Sequence, residues 1–176
     1  MNLKKIHLLL LLLFTFILSS CGYHNPYVYS GPQRNIYISN WHNRTNELLL
    51  NAKIYQSLTS WFQKSGSIKV QKSKERAQLI LAGEILSIQL PSLTFGTGND
   101  ATEVKIILHV RYILKDLESG KVLLEVAKER WTEEYKVGTY ASENKDNERE
   151  ALAIIIDDLS EKIYIKTLDR LAKENI

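Results

Sequence analysis

Thr102-Glu103-Val104-Lys105-Ile106-Ile107-Leu108-His109-Val110-Arg111-Tyr112-Ile113-Leu114-Lys115 is the most regular stretch of this 176-residue chain. Val104, Ile106, Leu108, Val110, Tyr112 and Leu114 take every second position, and Glu103, Lys105, His109, Arg111 and Lys115 fall between them. Side chains alternate across a strand, so the pattern predicts one face in a core and the other in water. Asp116-Leu117-Glu118-Ser119-Gly120 supplies a turn, and Val122, Leu124 and Val126 resume the alternation, which makes residues 121–134 the hairpin partner. The parity slips near Ala127, because Trp131 and Tyr135 sit on the opposite set, predicting a bulge or an exposed aromatic edge there.

Outward from this hairpin, residues 77–90 read as a second long strand. Ile80, Ala82, Leu86, Ile88 and Leu90 share one parity and Leu79, Leu81 and Ile85 the other, so its first half is apolar on both faces. Gly83 interrupts the pattern and marks a candidate bulge. Residues 67–70 can form a short strand stub, and Ile36 to Trp41 is a β-branched and aromatic run that reads as the first strand. Thr45 or Asn46 can cap a helix running from about Glu47 to Lys64, with Leu48, Ala52, Tyr55, Leu58 and Phe62 as its apolar stripe and Gly66 beyond its end. Asn147 with Glu150 resembles a capping box for a closing helix to about Leu171, its stripe carrying Leu152, Ile155, Ile156, Leu159, Ile163 and Lys166 at helical spacing. Two helices with one stripe each and a strand with one apolar face predict a two-layer α/β (α+β) sandwich. Its sheet is four-stranded, largely antiparallel or mixed, with both helices on one face.

The N-terminus carries a different signal. Met1-Asn2-Leu3-Lys4-Lys5 precedes an apolar run from Ile6 to Leu18, shorter than the roughly 20 residues a membrane-spanning helix needs, and so shaped like a signal peptide. Leu18-Ser19-Ser20-Cys21 closes that run as a lipobox, and Cys21 is the only cysteine in the chain. The expectation is a signal peptide at 1–20 and an acylated arm at 21–35, followed by one periplasmic domain at 36–176. Cys21 would carry a diacylglycerol thioether and an N-acyl chain, enough lipid for stable membrane residence. An arm of about fourteen extended residues reaches up to about 50 Å.

Removing the signal peptide takes Lys4 and Lys5 from a formal charge of +3, leaving a domain close to neutral. That balance is unlike a nucleic-acid-binding domain. Catalytic chemistry is absent as a pattern, so no enzyme activity, metal or other cofactor is expected. His24, His42 and His109 are scattered, Gly96-Thr97-Gly98 has no helix behind it, and Ser142 with Lys145 lacks companion motifs. Asp157 and Asp158 are neighbours on a helix and diverge by about 100°. What remains is the wet face of the hairpin, where Lys105, Arg111, Lys115, Lys128 and Arg130 form a local cationic field able to hold phosphate groups.

The start Leu18-Ser19-Ser20-Cys21-Gly22-Tyr23-His24 and the turn Trp41-His42-Asn43-Arg44-Thr45 before a helix are telling in their order. With the strand near Ile36, Ala77 to Gly83 entering a long strand, and the Ala/Ile-rich closing helix, the mature chain resembles the LPS-assembly lipoprotein (LptE) family. The resemblance implies a lipoprotein of the outer membrane on its periplasmic side, and Gly22 in place of Asp agrees with that sorting. It further implies a plug and assembly partner inside the LPS-translocating barrel LptD, binding LPS through basic residues. The five cations named above come from the alternation and are the candidate positions. A lipoprotein module of another outer-membrane secretion or appendage assembly is the alternative.

Overall fold

The computed structural model describes residues 27–29, 31–95 and 101–174. Cys21, the signal segment and the loop tip Gly96–Asp100 lie outside the described residues. The strands are β1 (Arg34–Ile38), β2 (His42–Asn43), β3 (Ile68–Gln71), β4 (Leu79–Gln89), β5 (Ser92–Phe95), β6 (Ala101–Asp116) and β7 (Val122–Lys136). The helices are α1 (Leu50–Gln63) and α2 (Ala141–Glu174), with a single 3-10 turn at Lys74–Arg76. The architecture is the expected α/β sandwich, but its sheet holds seven strands, not four.

The central strand is β6. Its register with β7 is antiparallel over almost its whole length, while β4 and then β5 pair antiparallel with its other edge. Strands β1 and β2 lie parallel to β4 in succession, and β3 lies parallel to β1. A parallel pair requires a crossover, and α1 supplies it between β1 and β3. The additional strands are therefore short edge pieces that local alternation is too brief to reveal.

Ile106, Leu108, Val110, Tyr112 and Leu114 point into one buried core, as the alternation predicts. Leu79, Leu81 and Ile85 join them from β4. The bulge in that strand falls at Leu86, between the pairs Ile85↔Val110 and Ser87↔His109, and not at Gly83. Gly83 has a different duty: a Cβ there would collide with the Trp41 indole, which lies across it and stacks on Tyr112 at 6.1 Å. In β7, Ala127 and Lys128 together oppose Arg111, so the slip near Ala127 is a bulge. Beyond it Glu129, Trp131, Glu133 and Tyr135 pair with core-facing residues of β6 and take the helix side.

Both helices cover that side, and both begin elsewhere than their apolar patterns indicate. In α1 the buried stripe is Leu50, Ile54, Leu58 and Phe62, whereas Leu48 is 81% exposed and Tyr55 lies on the surface. The chain before it is held as a turn. The Asn43 carboxamide oxygen accepts from the Thr45 amide and hydroxyl (2.9 and 2.7 Å), and its nitrogen donates to the Glu47 carbonyl at 2.8 Å. Leu49 then adopts φ +63°, so the first helical bond runs from Lys53 to Leu49. A left-handed leucine is strained and, at 69% exposure, gains little from burial. Leu49→Gly relieves about 1–2 kcal/mol of left-handed strain against about 0.5–1 kcal/mol of added unfolded-chain entropy, so it is expected to stabilise the fold by about 0.5–1 kcal/mol, read as a higher urea midpoint with unchanged slope; a loss of stability would contradict the strain.

Helix α2 starts at Ala141, not Asn147. The Glu143 carboxylate takes the Thr139 amide at 2.9 Å, while Asn147, mid-helix, donates to the Lys136 carbonyl at 2.9 Å. Leu152, Ile155, Ile156, Leu159 and Ile163 form its buried stripe as expected, extended by Tyr164, Leu168 and Leu171. The arm docks across the helices: Tyr27 stacks on Trp61 at 6.4 Å and donates to Glu161 at 2.6 Å. Tyr164 donates to the Tyr27 carbonyl at 2.9 Å, and Tyr29 is buried. Five residues lie between Cys21 and Tyr27, a span of at most about 20 Å, well below the roughly 50 Å expected of a free arm.

Candidate binding face of the sheet

Two layers leave the second face of the sheet without a helix among the described residues. Its side chains come from the positions between the core residues: Ile80, Ala82, Glu84 and Ser87 on β4, Lys105, Ile107, His109, Arg111, Ile113 and Lys115 on β6, and Glu125, Arg130 and Glu134 on β7. The face is mixed in charge with apolar patches between.

The five cations of the alternation do not form one cluster. Lys105 is joined to Glu134 across the strand pair at 2.7 Å. Lys115 stands near the hairpin turn, in register with Ile80 and Val122. Arg130 pairs with His109, and Lys128 occupies the bulge beside it. Burial holds the His109 imidazole below its ordinary pKa, and the positive charges of Lys128 and Arg130 add to the effect. The ring stays neutral at pH 7 and meets the Ser87 hydroxyl through Nδ1 at 3.2 Å. Lys128 and Arg130 therefore act on one locality.

Arg111 enters a different constellation. Glu84 is 7% exposed, yet its carboxylate bonds to the Arg44 Nε through one oxygen and to the Arg111 Nη2 through the other. Burial opposes its ionisation, but the hydrogen bonds and charges of the two arginines outweigh that and hold its pKa below the usual carboxylate range. Beside this triad lies a groove of about 470 Å³ lined in part by His42, Ala82, Arg111, Ile113, Glu125 and Ala127. Strand alternation singles out neither Arg44 nor Glu84 as a site residue. The available signal was Glu84 itself, a lone carboxylate inside Leu-Ile-Leu-Ala-Gly-Glu-Ile-Leu, since buried charges need partners.

A second polar node sits on the helix side, where Glu129 accepts from Tyr112 at 2.7 Å and from Lys162 and Lys166 at 2.8 and 3.1 Å. It bolts α2 to the hairpin. Among the described residues no three His, Cys, Asp or Glu side chains converge as a metal would require, and no helix is long and apolar enough to cross a membrane.

The fold has solved counterparts. Protein CT253 from Chlamydia trachomatis superposes with a TM-score of 0.55 at 13% identity, over 80% of this chain and 99% of that one. XCC0632 from Xanthomonas campestris gives 0.58 at 10% identity, over 83% and 91%. Lipoprotein B from Nitrosomonas europaea gives 0.55 at 15% identity, over 87% and 94%. At such identities the likeness is one of fold. No curated protein matches the sequence. The model of the family described as LptE, lipopolysaccharide-assembly, matches residues 33–167, from the strand before α1 to the last turns of α2. The chain belongs to the LptE lipopolysaccharide-assembly family.

Proposed function

We propose that this protein is an outer-membrane lipoprotein, anchored through Cys21, that lodges in the LPS-translocating barrel LptD, supports its assembly and binds LPS without catalysing a reaction. The observation that carries this reading is the family match over 33–167. The surface is compatible with a plug. A barrel lumen is polar and wet, and the uncovered face offers alternating charge instead of a continuous apolar patch. The docked arm keeps the domain within about 20 Å of a lipid on Cys21. Leu48, Leu49, Leu90 and Leu93 are exposed, and apolar side chains left at the surface are available to a partner.

The LPS contacts proposed are Arg111, Lys128 and Arg130, with Lys105 and Lys115 flanking them. Lys105 is the weakest of the five, since Glu134 already neutralises it. Tagged protein expressed beside an LptD homologue should copurify with that barrel; recovery without any barrel, or with a barrel of another assembly, would sink the plug reading. Lys128→Gln combined with Arg130→Gln should weaken LPS binding by at least about tenfold. Unchanged affinity would remove the cationic site while leaving the plug role standing.

A further inference from the structure

The Arg44–Glu84–Arg111 triad carries more cationic character than its carboxylate needs. One guanidinium neutralises Glu84; the second leaves the group with a net positive charge. Arg44 and Arg111 are 55% and 52% exposed, and each spends one nitrogen on Glu84. Neither guanidinium has another hydrogen-bond partner among the described residues, so most of their N–H groups are free to meet a ligand. A guanidinium whose position is fixed by a buried acceptor loses little freedom on meeting an anion, and its planar donors match phosphoryl oxygens.

Three departures from regular structure converge to build this arrangement. The bulge at Leu86 lies just beyond Glu84, and the bulge at Ala127 and Lys128 lies opposite Arg111. The third is β2, two residues long, which presents His42 at the groove and leads to Arg44, whose amide donates to the Ile85 carbonyl at 3.0 Å. Bulges re-aim side chains and end pairing, and they gather beside sites. The adjoining groove is lined by Arg111 with its partner Glu84, by the small and apolar Ala82, Ile113 and Ala127, and by Glu125, which disfavours a second anion.

We infer that Arg44 and Arg111, held by Glu84, form a fork for the single phosphoryl head of an amphiphile whose apolar part lies against Ala82, Ile113 and Ala127. This goes beyond the lipopolysaccharide reading, with which it shares only Arg111, because the fork would take such a head whether or not the chain meets a barrel.

The test follows the arginine Nε–H resonances of the isotope-labelled full chain in non-ionic detergent, titrated with inorganic phosphate and with hexyl phosphate. Both probes should shift the Arg44 and Arg111 signals. Hexyl phosphate should bind at least about tenfold tighter, since burying two methylenes is already worth that factor. Arg44→Gln should weaken both by at least about tenfold while the Arg111–Glu84 pair preserves the fold, which an unchanged melting curve would verify. Equal affinity for the two probes would overturn the apolar seat. Signals unmoved at millimolar concentrations of either probe, or moved equally in Arg44→Gln, would overturn the fork. Hexyl phosphate bound normally by the Lys128/Arg130 double variant, with LPS binding lost, would establish that the fork acts without the Lys128 and Arg130 patch.

Discussion

Trp41→Ala is expected to lower the unfolding free energy by about 3–5 kcal/mol, the range for deleting a large aromatic from a packed core. Trp41 is fully buried, stacks on Tyr112 and fills the space that Gly83 leaves open on β4. Removing it opens a cavity where strands β2, β4 and β6 meet, and the sheet backbone cannot collapse into it. The indole nitrogen has no hydrogen-bond partner among the described residues. The substitution therefore orphans no other polar group, and the loss is one of packing. In a domain of this size each kcal/mol is worth about 2–4 °C, so the melting temperature should fall by roughly 6–20 °C. The reciprocal change, Gly83→Ala, presses a methyl against the same ring and should also destabilise, through overpacking. Urea unfolding followed by circular dichroism measures both; a Trp41→Ala loss under about 1 kcal/mol would mean that the indole is not a keystone.

The elements that were legible in the sequence are those whose burial is one-sided. Strand β6 faces helices on one side and water on the other, so its alternation runs unbroken from Val104 to Leu114. The slip at Ala127 was visible for the same reason, since a bulge reverses every parity after it. At Gly83 that reasoning misled: a glycine in a strand marks either a bulge or a close approach, and only the distant Trp41 decides between them. Leu48 and Leu49 imitate the start of an apolar stripe but lie in a turn set by Asn43 and Thr45. The first ten residues of α2 bury nothing, so no periodicity announces them; the pattern begins at Ala151.

The candidate site was legible only in part. Alternation identifies which cations share a face, but not their partners. Lys105 belongs to Glu134 and Arg111 to Glu84, pairings made across strands. The Arg44 link to Glu84 spans forty residues and depends on β2 lying parallel to β4, which two residues of strand cannot signal. The cationic field thus resolves into a patch around His109 and the fork on Glu84.

Glu129 supplies the second large effect, this time on the helix side. Its side chain is 13% exposed and collects Tyr112, Lys162 and Lys166, while the Lys162 ammonium also lies 4.8 Å from the Trp131 ring centre. Glu129→Ala strips that acceptor from a mostly buried hydroxyl and two half-exposed ammonium groups. The lysines can turn to water but the tyrosine cannot, so the cost should be about 2–3 kcal/mol. Glu129→Gln keeps an acceptor for Tyr112 and isolates the charge. Burial works against ionisation of Glu129, but bonds from Lys162, Tyr112 and Lys166 prevail and lower its pKa. A carboxylate with a depressed folded-state pKa stabilises the fold fully above its unfolded pKa, about 4.3, and loses that contribution as pH falls through the folded value. The stability gap between the native chain and Glu129→Gln should accordingly be constant from pH 7 down to about pH 5 and shrink below about pH 4. Urea denaturation across that range reads it directly. A gap that stays constant into acid would mean that Glu129 holds α2 to the hairpin by shape alone, with no contribution from its charge.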